Sequence, residues 1–214
     1  MNNKNDIFSS KKIELIKLVV VILSTIPLFS GPLILKGCLP VEPGTTPRIS
    51  LTKKDSAAMV QLLRANSLPT GRTWDYVGLL NGFVNSIKME KLGLKKFVFD
   101  KSIGDLDSLE TIYLMINQIE VIEIPEEISI NRKLKIGLNQ NRIGAIPKDI
   151  GKIKNIENLD LYQNEINAVP ADINHYGIQH IDIRQNRLCS VPDSIDKWLR
   201  TMDPNWSTTQ RCVP

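Results

Sequence analysis

His175 and His180 are the only imidazoles in the chain, and they stand five residues apart. Such a pair could begin a metal site or a proton relay, but a protein metal centre needs a third and usually a fourth ligand at defined spacing. No third ligand stands at that spacing, and the three cysteines, Cys38, Cys189 and Cys212, contain no Cys-x-x-Cys pair. Neither a nucleophile elbow, nor a phosphate loop, nor a Gly-x-Gly-x-x-Gly turn is present, and the carboxylates are scattered as a solvated surface would scatter them. These residues predict a chain that is not an enzyme and takes no cofactor and no metal.

The side chains whose spacing does carry a pattern are amides. Asn117, Asn141, Asn164 and Asn186 lie 24, 23 and 22 residues apart. Each has an aliphatic residue three before it (Leu114, Leu138, Leu161, Ile183) and five before it (Ile112, Ile136, Leu159, Ile181). Two after it come Ile119, Ile143, Ile166 and Leu188, and a proline follows in every copy, at Pro125, Pro147, Pro170 and Pro192. An amide both donates and accepts, so a stacked column of four can satisfy backbone groups where the chain turns out of a short buried strand. These four asparagines are therefore expected to be a structural ladder rather than a ligand site.

The pattern L-x-L-x-x-N-x-I-x-x-I-P-x-x-I resembles the leucine-rich repeat family of bacterial type, whose period is about 20 to 29 residues. The resemblance implies an α/β solenoid, with short parallel strands on a concave face and an irregular, 3-10 or short helical convex side. About five coils would span residues 84–195, the first of them degenerate, with Leu92 where the asparagine should be. The two additional residues of IEVIEIP in the second coil are expected in a loop outside the strand. Both ends of such a stack need caps. Residues 55–83 are read as the amino-terminal cap, with a helix started by Asp55 or Ser56 that buries Met59, Leu62 and Leu63, followed by Trp74, Tyr76, Leu79 and Leu80. Residues 196–214 are read as the carboxy-terminal cap, closed by Trp198, Leu199 and Trp206, with a tryptophan-based sugar site as the alternative.

Side chains alternate along a strand, so residues interleaved with the buried pair face outward. Most of these are polar: Asp160, Asp182 and Arg184, with Asn139 among them. Tyr113, Met115 and Ile116 are the apolar exception, and Tyr162 shares a column with Met115. Apolar groups beside amides and charges are the composition of a protein-binding surface. The expected binding residues are these eight, with Tyr113, Met115 and Ile116 as the hot spot and the charged three supplying complementarity.

The leader points to a membrane. Four lysines in residues 1–17 precede LVVVILSTIPLFSGPLIL, which holds no charge, and Lys36-Gly37-Cys38 follow. A basic start and an apolar run predict a signal peptide or membrane anchor over residues 1–37. LKGC, Leu35 to Cys38, resembles a bacterial lipobox, although Lys36 stands where a small uncharged residue is usual; the resemblance implies lipid on Cys38. Leu39 implies delivery to the outer membrane, and residues 38–54 read as a Pro- and Thr-rich tether. A secreted protein, or one anchored by an uncleaved amino-terminal helix, is the alternative. With Cys38 acylated, Cys189 and Cys212 remain as an even pair. A disulfide between them would close a loop of about 24 residues and stabilise the fold by about 3 kcal/mol; two unrelated thiols is the other reading.

The net charge of +4 belongs mostly to this leader, where five lysines stand against Asp6 and Glu14 for a contribution of +3. The remainder is close to neutral, so charge provides no argument for nucleic acid. The sequence predicts a non-catalytic protein- or peptide-recognition module displayed on a bacterial cell envelope, its partner unidentified. A structural or adhesive envelope component in a larger assembly is the alternative.

Overall fold

A buried amide that returns at every turn obliges the chain to come back to the same line, and the strands do so. A computed structural model of the chain describes residues 51–212 apart from Ser129 and Asn131. The expected signal segment 1–37, Cys38, the tether as far as residue 50 and the side chain of Trp74 lie outside the described residues. Strands β1 (Val77–Leu80), β2 (Phe83–Lys88), β3 (Lys96–Val98), β4 (Thr111–Tyr113), β5 (Val121–Glu123), β6 (Leu134–Gly137), β7 (Ile156–Asp160) and β8 (His180–Asp182) follow helix α1 (Lys53–Ala65), and helix α2 (Asp193–Met202) comes last. Six strands form one sheet in the order β1-β2-β4-β6-β7-β8, and β3 and β5 form a second.

This corrects the expected fold class. In place of a solenoid whose strands all run parallel, the chain forms a small α/β domain on a mixed six-stranded sheet with a two-stranded sheet beside it. Two features of the sequence produce the difference. Asn81-Gly82 joins β1 to β2 with φ of 53° and 85°, the positive values a tight two-residue hairpin demands, so β1 runs antiparallel to β2;. Gly78 in β1 faces Ser86, and a Cβ there would stand 2.2 Å from the Ser86 hydroxyl oxygen. Ser86 is buried by this arrangement although its register places it on the outward face. The second feature is IEVIEI, rich in the β-branched residues that favour strands. Its Val121–Glu123 form β5, which pairs in parallel with β3, where a loop was expected.

From β2 onwards the large sheet is parallel and in repeat register. Ile87, Ile112, Ile136, Leu159 and Ile181 are successive partners, and all five are buried in the core. The amides tie the segments together beyond the strands. Asn164 Oδ1 accepts the Ile143 N–H at 3.1 Å, while its Nδ2 donates to the Leu138 and Leu161 carbonyls at 2.9 and 3.0 Å. Asn141 and Asn186 repeat this arrangement, accepting from Ile119 and Ile166. Each inner carbonyl takes two amides: Leu138 receives Asn141 and Asn164, and Leu161 receives Asn164 and Asn186. All four asparagines are buried.

Every rung reaches back to the segment before it, which explains both ends of the ladder. The first segment needs no asparagine, because Asn117 Oδ1 accepts from Leu92 and Leu94 and its Nδ2 donates to Met89. The last segment leaves Leu188 N–H without a following rung, and Gln210 supplies one. Its Oε1 accepts from Leu188 at 3.1 Å and its Nε2 donates to Ile183 at 3.1 Å. A disulfide between Cys189 and Cys212 closes the tail over this end. Arg211 donates from its guanidinium to the Asn164 carbonyl.

The two ends of the described chain follow from local chemistry. Thr52, and not Asp55 or Ser56, is the N-cap of α1, because its hydroxyl accepts the Asp55 N–H;. Asp55 is buried and accepts the Val84 N–H at 2.7 Å, so it joins helix to sheet. Met59, Leu62 and Leu63 are buried as expected, whereas Leu80 is exposed at the hairpin. At the other end Ile195 and Leu199 of α2 are buried, and Trp206 packs beneath with its indole N–H donated to Asp196. Trp206 is thus consumed by packing rather than presented to a sugar. Among the described residues no helix is long and apolar enough to cross a membrane.

Replacing Asn164 by Ala should strand the buried Ile143 N–H while Leu138 and Leu161 keep their other amide partners. An unpaired buried donor together with the lost bonds costs about 3 kcal/mol. Thermal unfolding should show a fall of that order for Asn164→Ala and almost none for Asn158→Ala, whose residue is exposed.

Candidate recognition surface

The outward face is set by the same register that builds the core. Lys88, Tyr113, Gly137, Asp160 and Asp182 are successive partners across β2, β4, β6, β7 and β8. Just past the strands, backbone bonds from Lys91 N–H to Met115, Ile116 to Asn139, Gln140 to Tyr162 and Gln163 to Arg184 continue the rows. They align Glu90, Met115, Asn139, Tyr162 and Arg184 in a second column. The expected binding residues therefore lie on one face, but in two halves. Gly137 separates Tyr113 from Asp160, and a Cβ on it would sit 3.5 Å from the Met115 methyl carbon, so Met115 covers the gap.

The apolar half includes a β-branched residue in a backbone conformation that such residues rarely adopt;. The residue before each ladder position turns left-handed: Lys91, Ile116, Gln140, Gln163 and Gln185 have φ of 60°, 57°, 58°, 55° and 58°. A left-handed conformation costs an L-residue about 1 to 2 kcal/mol, and β-branching aggravates the clash. Four of these positions hold unbranched polar chains, and Gln140 donates to Gln163 at 3.0 Å. The fifth is Ile116, and it is 44% exposed. Isoleucine here is unfavourable twice, through backbone strain and through apolar surface left in water. Tyr113 and Met115 beside it are half-buried.

The polar half is already partly neutralised. Arg184 grips Asp182 with two bonds, from Nε to Oδ1 at 3.0 Å and from a terminal nitrogen to Oδ2 at 2.6 Å. Its guanidinium also lies 5.7 Å from the centre of the Tyr162 ring. Burial pushes the Asp182 carboxyl up, but the hydrogen bonds from Arg184 and its charge outweigh that and hold it below the ordinary carboxylate value. Asp160 goes the other way. Burial raises it, the charge of Asp182 adds to the rise, and the Tyr162 N–H bond and Arg184 counter only part of this. Arg184 is therefore not a free cation, and Asp160 carries the uncompensated charge. An open cleft of about 410 Å³ runs along these residues, bounded by Asn158, His180 and Asp203.

Other exposed apolar side chains escaped the sequence reading. Leu80 and Phe83 face each other across the β1–β2 hairpin at 53% and 44% exposure, and Val121 in β5 is 49% exposed. The Asn81-Gly82 pair, whose residue types suit the positive φ values of a two-residue turn, is the signal that could have revealed the hairpin;. His175 ends a 3-10 turn and His180 lies in β8, so the two imidazoles belong to different elements. Among the described residues no group of three His, Cys, Asp or Glu side chains could hold a metal ion. Compared with known proteins, the chain matches no family model and no curated protein.

Asparagine tolerates a left-handed backbone, so Ile116→Asn should raise stability by about 1 kcal/mol, measured by denaturant unfolding; a fall would show that Ile116 packs favourably at home. The raised Asp160 carboxyl means that the folded chain binds this proton more tightly than the unfolded chain does, so ionised Asp160 opposes folding. Asp160→Asn should therefore raise the unfolding temperature at neutral pH, and the gain should shrink as pH falls through the carboxylate range.

Proposed function

We propose that this protein is a non-catalytic recognition module that captures a protein or peptide on the outward face of its six-stranded sheet. The observation that carries the reading is Ile116, a branched apolar residue kept exposed in a left-handed turn where the equivalent positions hold lysine and glutamine. Strain at a position that other residues would fill at lower cost points to a use outside folding. Tyr113 and Met115 extend the apolar surface, and the two together provide an aromatic and a deformable thioether, residue types that suit interface centres.

The reading extends to location through the leader. The basic segment, the uncharged run and Cys38 support display on a bacterial cell envelope, held at the outer membrane by lipid on Cys38. The Cys189–Cys212 disulfide belongs with an oxidising compartment outside the cytoplasm;. Intact mass spectrometry of membrane-extracted protein tests this directly: a chain beginning at Cys38 with acyl mass supports it, and an uncleaved or unacylated chain refutes the lipid anchor.

Capture from detergent extracts of the native envelope tests the surface. Tyr113→Ser combined with Met115→Ser should abolish retention of a defined partner and leave the unfolding temperature within a few degrees of wild type. Retention equal to wild type would move the interface off this face. Persistence of large assemblies after extraction would favour a structural component instead.

A further inference from the structure

The apolar half of the face contains two acceptor atoms that the fold leaves without donors. Glu90 Oε2 and Asn139 Oδ1 are shielded from solvent and have no hydrogen-bond partner. They flank Met115, one row to either side, because Lys91 N–H bonds to the Met115 carbonyl and Ile116 N–H to the Asn139 carbonyl. No ion pair among the described residues includes Glu90. The Met115 methyl carbon and Asn139 Oδ1 both approach the empty Cβ position of Gly137, at 3.5 and 3.9 Å. The thioether thus lies beside a buried acceptor, over the one residue of the row that has no side chain.

A shielded acceptor without a donor is costly, and a carboxylate oxygen is the costliest kind. Both orphans accept and neither donates, so the missing partner is a donor. Methionine, with three rotatable bonds and no branching, can swing aside at small cost and uncover them. A lysine or arginine side chain meets these demands together: its aliphatic stem lies along Tyr113 and Met115, and its cationic head bonds to Glu90. A backbone N–H of the same ligand would then meet Asn139. Lys88 and Lys91 stand nearest along the chain but form no ion pair with Glu90, the Lys88 chain lying over Gly78, and Arg184 in the same column is held by Asp182.

We infer that the Tyr113–Met115–Ile116 patch recognises a peptide segment through a basic side chain, with Glu90 as its counter-ion and Met115 as the movable cover. This inference rests on the recognition reading above and adds the chemistry of the ligand. It makes Glu90, which shares the outward column with Met115, the residue that sets specificity.

The chain has five methionines, so the Met115 ε-methyl resonance of the full-length protein in detergent can be identified by its loss in Met115→Leu. Titration with acetyl-Leu-Thr-Arg-Thr-Leu-amide should shift that resonance to saturation. The same peptide with glutamine or glutamate in the centre should leave it in place, and Glu90→Gln should weaken the arginine peptide at least tenfold, a difference that added salt reduces. An equal response to the glutamine peptide, an unchanged affinity in Glu90→Gln, or no response to any of the peptides would overturn the inference. If native-partner capture still depends on Tyr113 and Met115 in that case, the recognition reading stands and only the basic-ligand chemistry falls; loss of both would remove the face as an interface.

Discussion

The buried carboxamide is the constraint from which the rest of this structure follows. A short parallel strand ends by turning its backbone through the protein interior, where an unpaired N–H is costly. Each asparagine meets that demand in the segment before its own and also ties down its own turn. Because the rung points backwards, the first segment is served for nothing and the last is left in need. Gln210, with one more methylene than asparagine, reaches in from the tail and meets the same need from a different direction. The disulfide that pins the tail therefore completes a hydrogen-bond system as well as closing a loop.

The same turn creates the surface. To aim its amide inward, the chain adopts a left-handed conformation at the residue before it, and that residue then points to solvent. Unbranched polar chains tolerate this position most easily. Structural necessity thus sets up a row of exposed sites of which Ile116 is the anomaly, adjacent to Tyr113 and Met115. The polar half of the face behaves differently, since Asp182 and Arg184 satisfy each other and Asp160 alone retains an unfavourable charge. The face thus has apolar side chains with a shielded carboxylate at one end and a mostly neutralised polar group at the other.

Much of the core could be read from residue types. The aliphatic positions three and five before each asparagine are buried, because a repeating strand can hide only one set of alternating side chains;. The register of the outward columns could be read for the same reason. The fold class could not. The two additional residues of IEVIEIP are expected in a loop, but β5 found β3 as a partner, and Asn81-Gly82 made an antiparallel hairpin on a sheet expected to be wholly parallel. The candidate site was half legible. Its members share the outward face that the register implies, but their division into two halves at Gly137, the Arg184–Asp182 clamp, the left-handed strain at Ile116 and the stranded oxygen of Glu90 depend on angles and distances.

By itself the sequence determined what repeats: which residues are apolar, which amides recur, and which side chains must share a face, since these depend only on order along the chain and the period of a strand. The tertiary structure decided what pairs with what. The second sheet, the substitute rung from Gln210 and the acceptors left without donors all arise from contacts between residues about twenty or more apart in sequence, and a hydrogen bond forms only when direction and distance are both met;.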